Sequence, residues 1–309
     1  MTSDTVAFVI PAYRSAHLGR TLHSLAAQTD HRFTVYVGDD ASQDDIRSVI
    51  FPYSETLGIQ YVRFETNAGL ESLYLQLRRC LALTQGESWI CFLSDDNELT
   101  PRAVSRLHRC MARHPETDVF HWNADVIDPA GNVTGKLRRF PGSLSVEQLF
   151  RQVYGRGESA PLSGFVFRRE ALVSALPEGE TDIYRKDGVL ILKAAERNGV
   201  RTVPWSRLLW RRHGAGISSN PATDEKVILS DLAFLRWTES FFGENHPLDE
   251  RALIRLFARK AAELYPSYSL DEIKEICFRA AVFSGNRQVR RGTRDLKEFI
   301  EKREEKLKR

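Results

Sequence analysis

A chain of 309 residues with 42% hydrophobic residues carries enough apolar side chain to bury a sizeable core, as one α/β domain with an appendage or as two domains. A charged fraction of 28% and a mean hydropathy of −0.35 exclude global disorder, and no run approaches the roughly 20 apolar residues that span a bilayer. The formal net charge of +3 is unevenly spread, because residues 285–309 hold ten Lys/Arg against five Asp/Glu and the remainder is slightly acidic.

The amino-terminal MTSDTVAFVIPAY has no basic region ahead of its apolar run, so Thr5–Tyr13 reads as a buried strand ending at Pro11 and not as a signal peptide. LGRTLHSLAAQ puts Leu18, Leu22, Leu25 and Ala26 on one face of a helix. FTVYVGDD (33–40) is a second strand, followed by a helix from about Asp44. IQYVRFE (59–65), LESLYLQLRRCLAL (70–83) and SWICFLSDD (88–96) continue the series as strand, helix and strand. Apolar runs without strict alternation suit strands buried on both faces, and the helices between them suit right-handed crossovers. The expectation is an α/β fold with an open, mainly parallel sheet flanked by helices, which binds ligands at the carboxyl ends of its strands.

Residues from about 118 to 220 mix short strands (119–124, 165–168, 205–210) with loops and helices. Beyond Asp224 three amphipathic patterns and a highly charged segment predict a C-terminal helical appendage. The expected division is therefore 1–220 for the ligand-binding domain and 221–309 for the helical extension. The four cysteines lack CxxC spacing and read as reduced, buried thiols of a cytoplasmic protein.

Polar residues gather where the strands end. Ser94-Asp95-Asp96-Asn97 follows the apolar strand 89–93, where carboxylates suit a hard divalent cation that takes its other ligands from phosphate and water. A helix cap would also explain acids there, but Thr100 ahead of Pro101 fills that role for the next helix. Asp39 and Asp40 end the second strand, where a carboxylate can accept from a uracil imide or a ribose hydroxyl, or simply form a turn capped by Ser42 or Asp44. Asn67-Ala68-Gly69 follows the third strand. No GxxxxGK[ST] and no GxGxxG occurs at any strand–helix turn, which counts against a phosphoryl-transfer α/β protein.

VIPAYR (9–14), GDDASQDD (38–45), TNAG (66–69) and CFLSDDNELTP (91–101) stand in this order, and the set resembles the inverting family 2 glycosyltransferases of GT-A fold. The resemblance extends over residues 5 to about 220. It implies that Pro11, Ala12 and Tyr13 line a nucleoside pocket with Asn67, that Asp40 with Asp39 reads the base, and that Asp96 holds Mn²⁺ or Mg²⁺ with Asp95 beside it. Ser94 stands where the family often has aspartate. Asp187 matches the catalytic base, with Lys186 in place of the expected glutamate and Asp182 as a second choice. In LLWRRHGAGIS, His213 matches a metal or diphosphate contact and Arg211 or Arg212 a diphosphate contact. Adjacent strand residues point to opposite faces, so only one arginine faces the site. Ser163-Gly164 matches the acceptor-side loop.

The implied activity is inverting transfer of a hexosyl or N-acetylhexosaminyl unit from a nucleoside-diphosphate sugar, favouring UDP, to a glycan or lipid-linked acceptor in surface polysaccharide synthesis. No nucleic-acid partner is expected. The basic tail suggests peripheral contact with the cytoplasmic membrane face. A nucleotide-sugar-binding protein without catalysis, or an unrelated phosphoryl-transfer α/β protein, is the alternative.

Overall fold

The computed structural model describes residues 5–69, 72–155, 159–176, 186–213, 225–265, 267–279 and 286–307. Two compact units emerge: Met1–Leu149 with Glu158–Pro177 and Leu190–His213, and Phe150–Gly157 with Glu178–Val189 and Gly214–Arg309. The second unit thus combines the C-terminal stretch from Gly214 with two short segments from the middle of the chain.

The first unit opens with β1 (Val6–Ala12), α1 (Leu18–Ala26), β2 (Phe33–Asp39), α2 (Ile46–Ile50), α3 (Ser54–Leu57), β3 (Gln60–Arg63), α4 (Leu73–Leu81) and β4 (Trp89–Phe92). β1 pairs in parallel with both β2 and β4, and β2 with β3. The two-sided burial has a direct cause. Val6, Phe8 and Ile10 alternate with Ala7 and Val9, all fully buried, and the first set packs with Val35, Val37, Trp89 and Cys91 against Leu18, Leu22 and Leu25 of α1. Each such side chain contributes about 1.5–3 kcal/mol by leaving water. β1 runs one residue past Pro11, and the carbonyl of Ala12 then accepts the Asp40 N–H at 2.9 Å.

The chain continues through β5 (Glu98–Leu99), α5 (Ala103–Arg113), β6 (Val119–His121), β7 (Ala124–Ile127), β8 (Val133–Lys136), β9 (Ser143–Leu144), α6 (Val146–Phe150), β10 (Phe165–Arg168), α7 (Arg169–Ala175), α8 (Lys186–Ala194), β11 (Val200–Thr202) and β12 (Leu208–Arg211). The main sheet has the order β3-β2-β1-β4-β10-β6-β11-β9, with β10 antiparallel to both β4 and β6. The expected strand 119–124 is two strands. At Trp122–Asn123 the chain leaves the main sheet for a four-stranded one, β5-β12-β7-β8. Asn123 makes this switch, its side chain accepting from Phe140 N at 2.7 Å and its carbonyl from Leu208 N at 3.0 Å.

Two local expectations are corrected. Thr100 does not cap α5; its hydroxyl accepts the Arg207 N–H at 3.0 Å, and the helix starts at Ala103 without a side-chain cap. The strand expected from Trp205 starts at Leu208, because Trp205 adopts a left-handed turn with φ 60°.

The second unit is helical, with α9 (Glu225–Phe242), α10 (Glu250–Ala261), α11 (Leu270–Arg279) and α12 (Asn286–Leu307). The basic segment is a docked helix: Leu296 and Ile300 are buried, and Glu298 pairs with Arg255 of α10 at 2.8 Å. Among the described residues, no helix is long and apolar enough to cross a membrane. Cys80, Cys91 and Cys277 are buried free thiols, and burial pushes Cys80 and Cys277 up to about 12.

Candidate active site

The carboxyl edge of the main sheet brings the ends of β1, β2, β3 and β4 together. Asp95, just past β4, accepts the Tyr13 and Arg14 N–H groups on one oxygen, at 2.9 and 3.0 Å. This docks the loop after β1 against the aspartate cluster. Burial, with Asp96 alongside, lifts the Asp95 carboxyl to about 6 even though two N–H donors favour its ionised form. The same loop is tied to the end of β2. Ser42 donates to the Tyr13 carbonyl at 2.6 Å, and Ser15 donates its N–H and hydroxyl to Asp44 at 2.7 and 2.9 Å. Those bonds hold the Asp44 carboxyl below its usual range. The cap of α2 is Asp45, which accepts from Ser48 N at 3.0 Å. Pro11 is half-buried, Ala12 buried and Tyr13 exposed, so the crevice wall here is the proline ring and the tyrosine.

Asp39 and Asp40 have different tasks. Asp39 is completely buried, and it accepts from Ser42 N at 2.8 Å, from the Tyr61 hydroxyl at 2.8 Å and from Arg63 at 2.9 Å. The carboxylate, expected to help read the base, has no exposed oxygen here and fixes the end of β2 to β3. Asp40 accepts the Ala68 and Gly69 N–H groups at 2.7 and 2.9 Å and a short ion pair from Arg79 of α4. It therefore shapes the Asn67–Gly69 loop, where Asn67 is half-buried. Gly69 is required there, since a Cβ would sit 2.5 Å from the Asp40 carboxylate. Arg79 lies over the Phe64 ring at 3.9 Å. Sequence reasoning missed this trio of Tyr61, Arg63 and Arg79. The period-two spacing of Tyr61 and Arg63 placed both on one strand face, whereas nothing in α4 distinguished Arg79.

Asp96 meets His213, Nε2 to Oδ2, at 3.1 Å, and both side chains are largely buried. Neighbouring ligands of an octahedral cation bound at about 2.1 Å lie about 3 Å apart, so this oxygen–nitrogen pair fits two adjacent positions on Mn²⁺ or Mg²⁺. No group of three or more His, Cys, Asp or Glu placed to hold a metal ion occurs among the described residues. A cation held here would need its other ligands from phosphate and water. His17, at the start of α1, has its ring centroid 5.2 Å from that of His213. Burial and then the Arg211 charge lower its pKa, so the imidazole tends to neutral.

Arg211, the last residue of β12, is buried, and Arg212, just after the strand, is exposed. Arg212 lies 5.5 Å from the Trp210 ring centroid. Arg211 is 2% exposed, and its guanidinium donates to the carbonyls of Asp96 (2.9 Å), Asp128 (2.7 Å) and Pro129 (3.0 Å) and pairs with Glu98. The guanidinium expected to contact diphosphate is thus fully buried and engaged with these four acceptors.

Ser163, ahead of β10, accepts the Ser94 N–H at 3.0 Å and the Asn97 side-chain amide at 3.1 Å. Ser94 also shares a 3.0 Å hydroxyl contact with Ser163, so it braces the turn. At Gly164 a Cβ would press against His121 and the Trp122 carbonyl, both at 3.3 Å. Asp187 lies in the first turn of α8, within the second unit, half-buried and accepting from Gly188 N at 2.9 Å. Asp182 lies outside the described residues.

The family model of glycosyl transferase family 2 matches residues 7–173. An uncharacterized glycosyltransferase of Nostoc sp. is 26% identical over 248 residues, 77% of this chain and 74% of that protein. One of Haemophilus influenzae is 27% identical over 118 residues, 38% of each chain. Among solved structures, residues 1–349 of S. aureus TarS in complex with UDP-GlcNAc superpose with a TM-score of 0.64 at 16% identity, covering 97% of this chain and 91% of that one. GalNAc-T7 with UDP, GalNAc and Mn²⁺ gives 0.56 at 15% identity, covering 89% and 54%. At such identities the two structures establish the GT-A-like fold. The family match extends over more than half of the chain and includes each strand end that builds the crevice, and the chain belongs to glycosyl transferase family 2.

Proposed function

We propose that this protein is an inverting, metal-dependent glycosyltransferase that moves a hexosyl or N-acetylhexosaminyl unit from a UDP-sugar to a hydroxyl of a glycan or lipid-linked acceptor. The observation that carries this reading is the Asp96–His213 pair at 3.1 Å, set beside the loop that Asp95 holds at the carboxyl edge of the sheet. A uridine donor and Mn²⁺ are further supported by the ligands named for TarS and GalNAc-T7.

In this reading Pro11, Tyr13, Asn67 and the Asp40–Arg79 pair surround the nucleoside, and Arg212 offsets diphosphate charge. Asp96 and His213 would hold the cation, whose chemistry is to stabilise charge on the departing diphosphate. Asp187 takes the acceptor proton, which a neutral hydroxyl must lose as it attacks. The hydroxyl attacks the anomeric carbon from the face opposite the diphosphate, so the configuration inverts. Gly164 leaves room for close approach of backbone and sugar. Surface polysaccharide or lipid-linked glycan synthesis at the cytoplasmic membrane face fits the exposed Arg290, Arg294 and Lys297 of α12.

The test is acceptor-dependent UDP release from a panel of UDP-sugars, with the product's anomeric configuration read by NMR. Inversion, and a fall in kcat of about 10²–10⁴ in Asp187→Asn with UDP affinity unchanged, are the expected results. Retention, or release of inorganic phosphate in place of UDP, would overturn the reading.

A further inference from the structure

We propose that Arg211 is the positioning residue that sets the geometry of the Asp96–His213 pair, an inference that rests on the metal-binding reading of that pair. The side chain is fully buried and its donors converge on two separate segments, the turn of Asp96–Glu98 and the turn of Asp128–Pro129. Nε donates to the Asp96 carbonyl, one terminal nitrogen to the Asp128 and Pro129 carbonyls between β7 and β8, and the other to the Glu98 carboxylate. A buried charge is tolerated when it is paired and its hydrogen bonds are satisfied, and Glu98 with three carbonyls supplies both.

The backbone of Arg211 extends this hold. Its N–H donates to the Asn97 side-chain oxygen at 3.0 Å, and the Asn97 amide donates to Ser163. Ser163 in turn accepts the Ser94 N–H. The whole turn from Ser94 to Glu98, which carries Asp96, is thus fixed from β12 on one side and from the segment before β10 on the other. His213 follows two residues after Arg211, so one residue governs where both the carboxylate and the imidazole stand. Arginine alone among the cationic residues presents a planar fork that reaches all these acceptors at once. Lysine keeps the charge and offers a single point donor.

The experiment measures UDP binding by calorimetry in Mn²⁺ and in EDTA, and Mn²⁺ binding in the presence of UDP by electron paramagnetic resonance, for the wild type, Arg211→Lys, Glu98→Gln and Asp96→Ala. Groups that support metal ligands typically change metal affinity 10–100-fold, so Arg211→Lys is expected to weaken Mn²⁺ binding by roughly that factor and leave UDP affinity in EDTA unchanged. Glu98→Gln, which removes one acceptor charge and keeps the three carbonyl bonds, is expected to shift Mn²⁺ affinity the same way by less. It decides the matter if Arg211→Lys does not fold. Wild-type Mn²⁺ affinity in a folded Arg211→Lys, or in Glu98→Gln when that variant must decide, would overturn the proposal. A loss of UDP affinity in EDTA would also overturn it, by making Arg211 a diphosphate ligand. If Asp96→Ala keeps its Mn²⁺ dependence, the reading of the pair itself falls, which separates that failure from the failure of Arg211.

Discussion

Asp39 and Asp40 are neighbours in sequence and equals in chemistry, yet one is a fully buried brace and the other shapes the crevice. The sequence made legible that carboxylates end β2 and β4. It hid which oxygens are already spent, because the partners Tyr61, Arg63, Arg79 and Arg211 come from distant strands and a helix. His121 carries a consequence of the same kind for stability. It stacks on Phe140 at 4.3 Å between centroids and lies 4.6 Å from Phe165, and burial pushes its imidazole from 6.5 down to about 3. Above pH 6.5 folded and unfolded chains are both neutral there. Between 6.5 and about 3 the unfolded chain binds a proton that the fold refuses, so stability falls with falling pH. His121→Leu is expected to flatten the dependence of Tm on pH between 7 and 4. An unchanged slope would show that this burial does not govern acid sensitivity.

At the scale of elements, the helices and the long strands of the first half follow from periodicity, since α1 buries the leucines that its pattern selects. The short strands β5 and β9, two residues each, carry no periodic signal and exist through pairing with remote partners. Thr100 illustrates the competition, its hydroxyl going to Arg207 where a local reading assigns it to a cap. The basic C-terminal segment was legible as a helix but not as a docked one. Its apolar positions are few, and its ion pairs need α10: Arg255 bonds Glu298 and lies 4.8 Å from the Phe299 ring centroid. Leu296 is completely buried in that packing. Leu296→Ala is expected to cost about 2–5 kcal/mol in unfolding of the helical unit, measured by denaturant titration. A cost below about 0.5 kcal/mol, as for an exposed site, would mean that the helix is not held there.

For the molecule as a whole, sequential βα units make the parallel half of the sheet readable, because neighbours in sequence are neighbours in space. That logic ends at β4. Its next neighbour, β10, enters antiparallel from more than 70 residues downstream, and the second unit is assembled from three stretches of chain. The crevice could be located from the sequence since it rests on the readable half. Arg211 and Ser163 reach it from the other half: the family resemblance put them near the site, but their bonds to the Asp96 carbonyl and the Ser94 N–H could not be read from the sequence.

The central claim is that the carboxyl edge of this sheet binds a nucleoside diphosphate through a cation held by Asp96 and His213. Calorimetric titration of UDP, GDP and dTDP, with and without Mn²⁺, on the wild type and Asp96→Ala tests it most directly. The account predicts Mn²⁺-dependent binding, tightest for UDP, with the Mn²⁺ dependence lost in the variant. Binding of none of the three, or binding indifferent to Mn²⁺ and to Asp96, would contradict it.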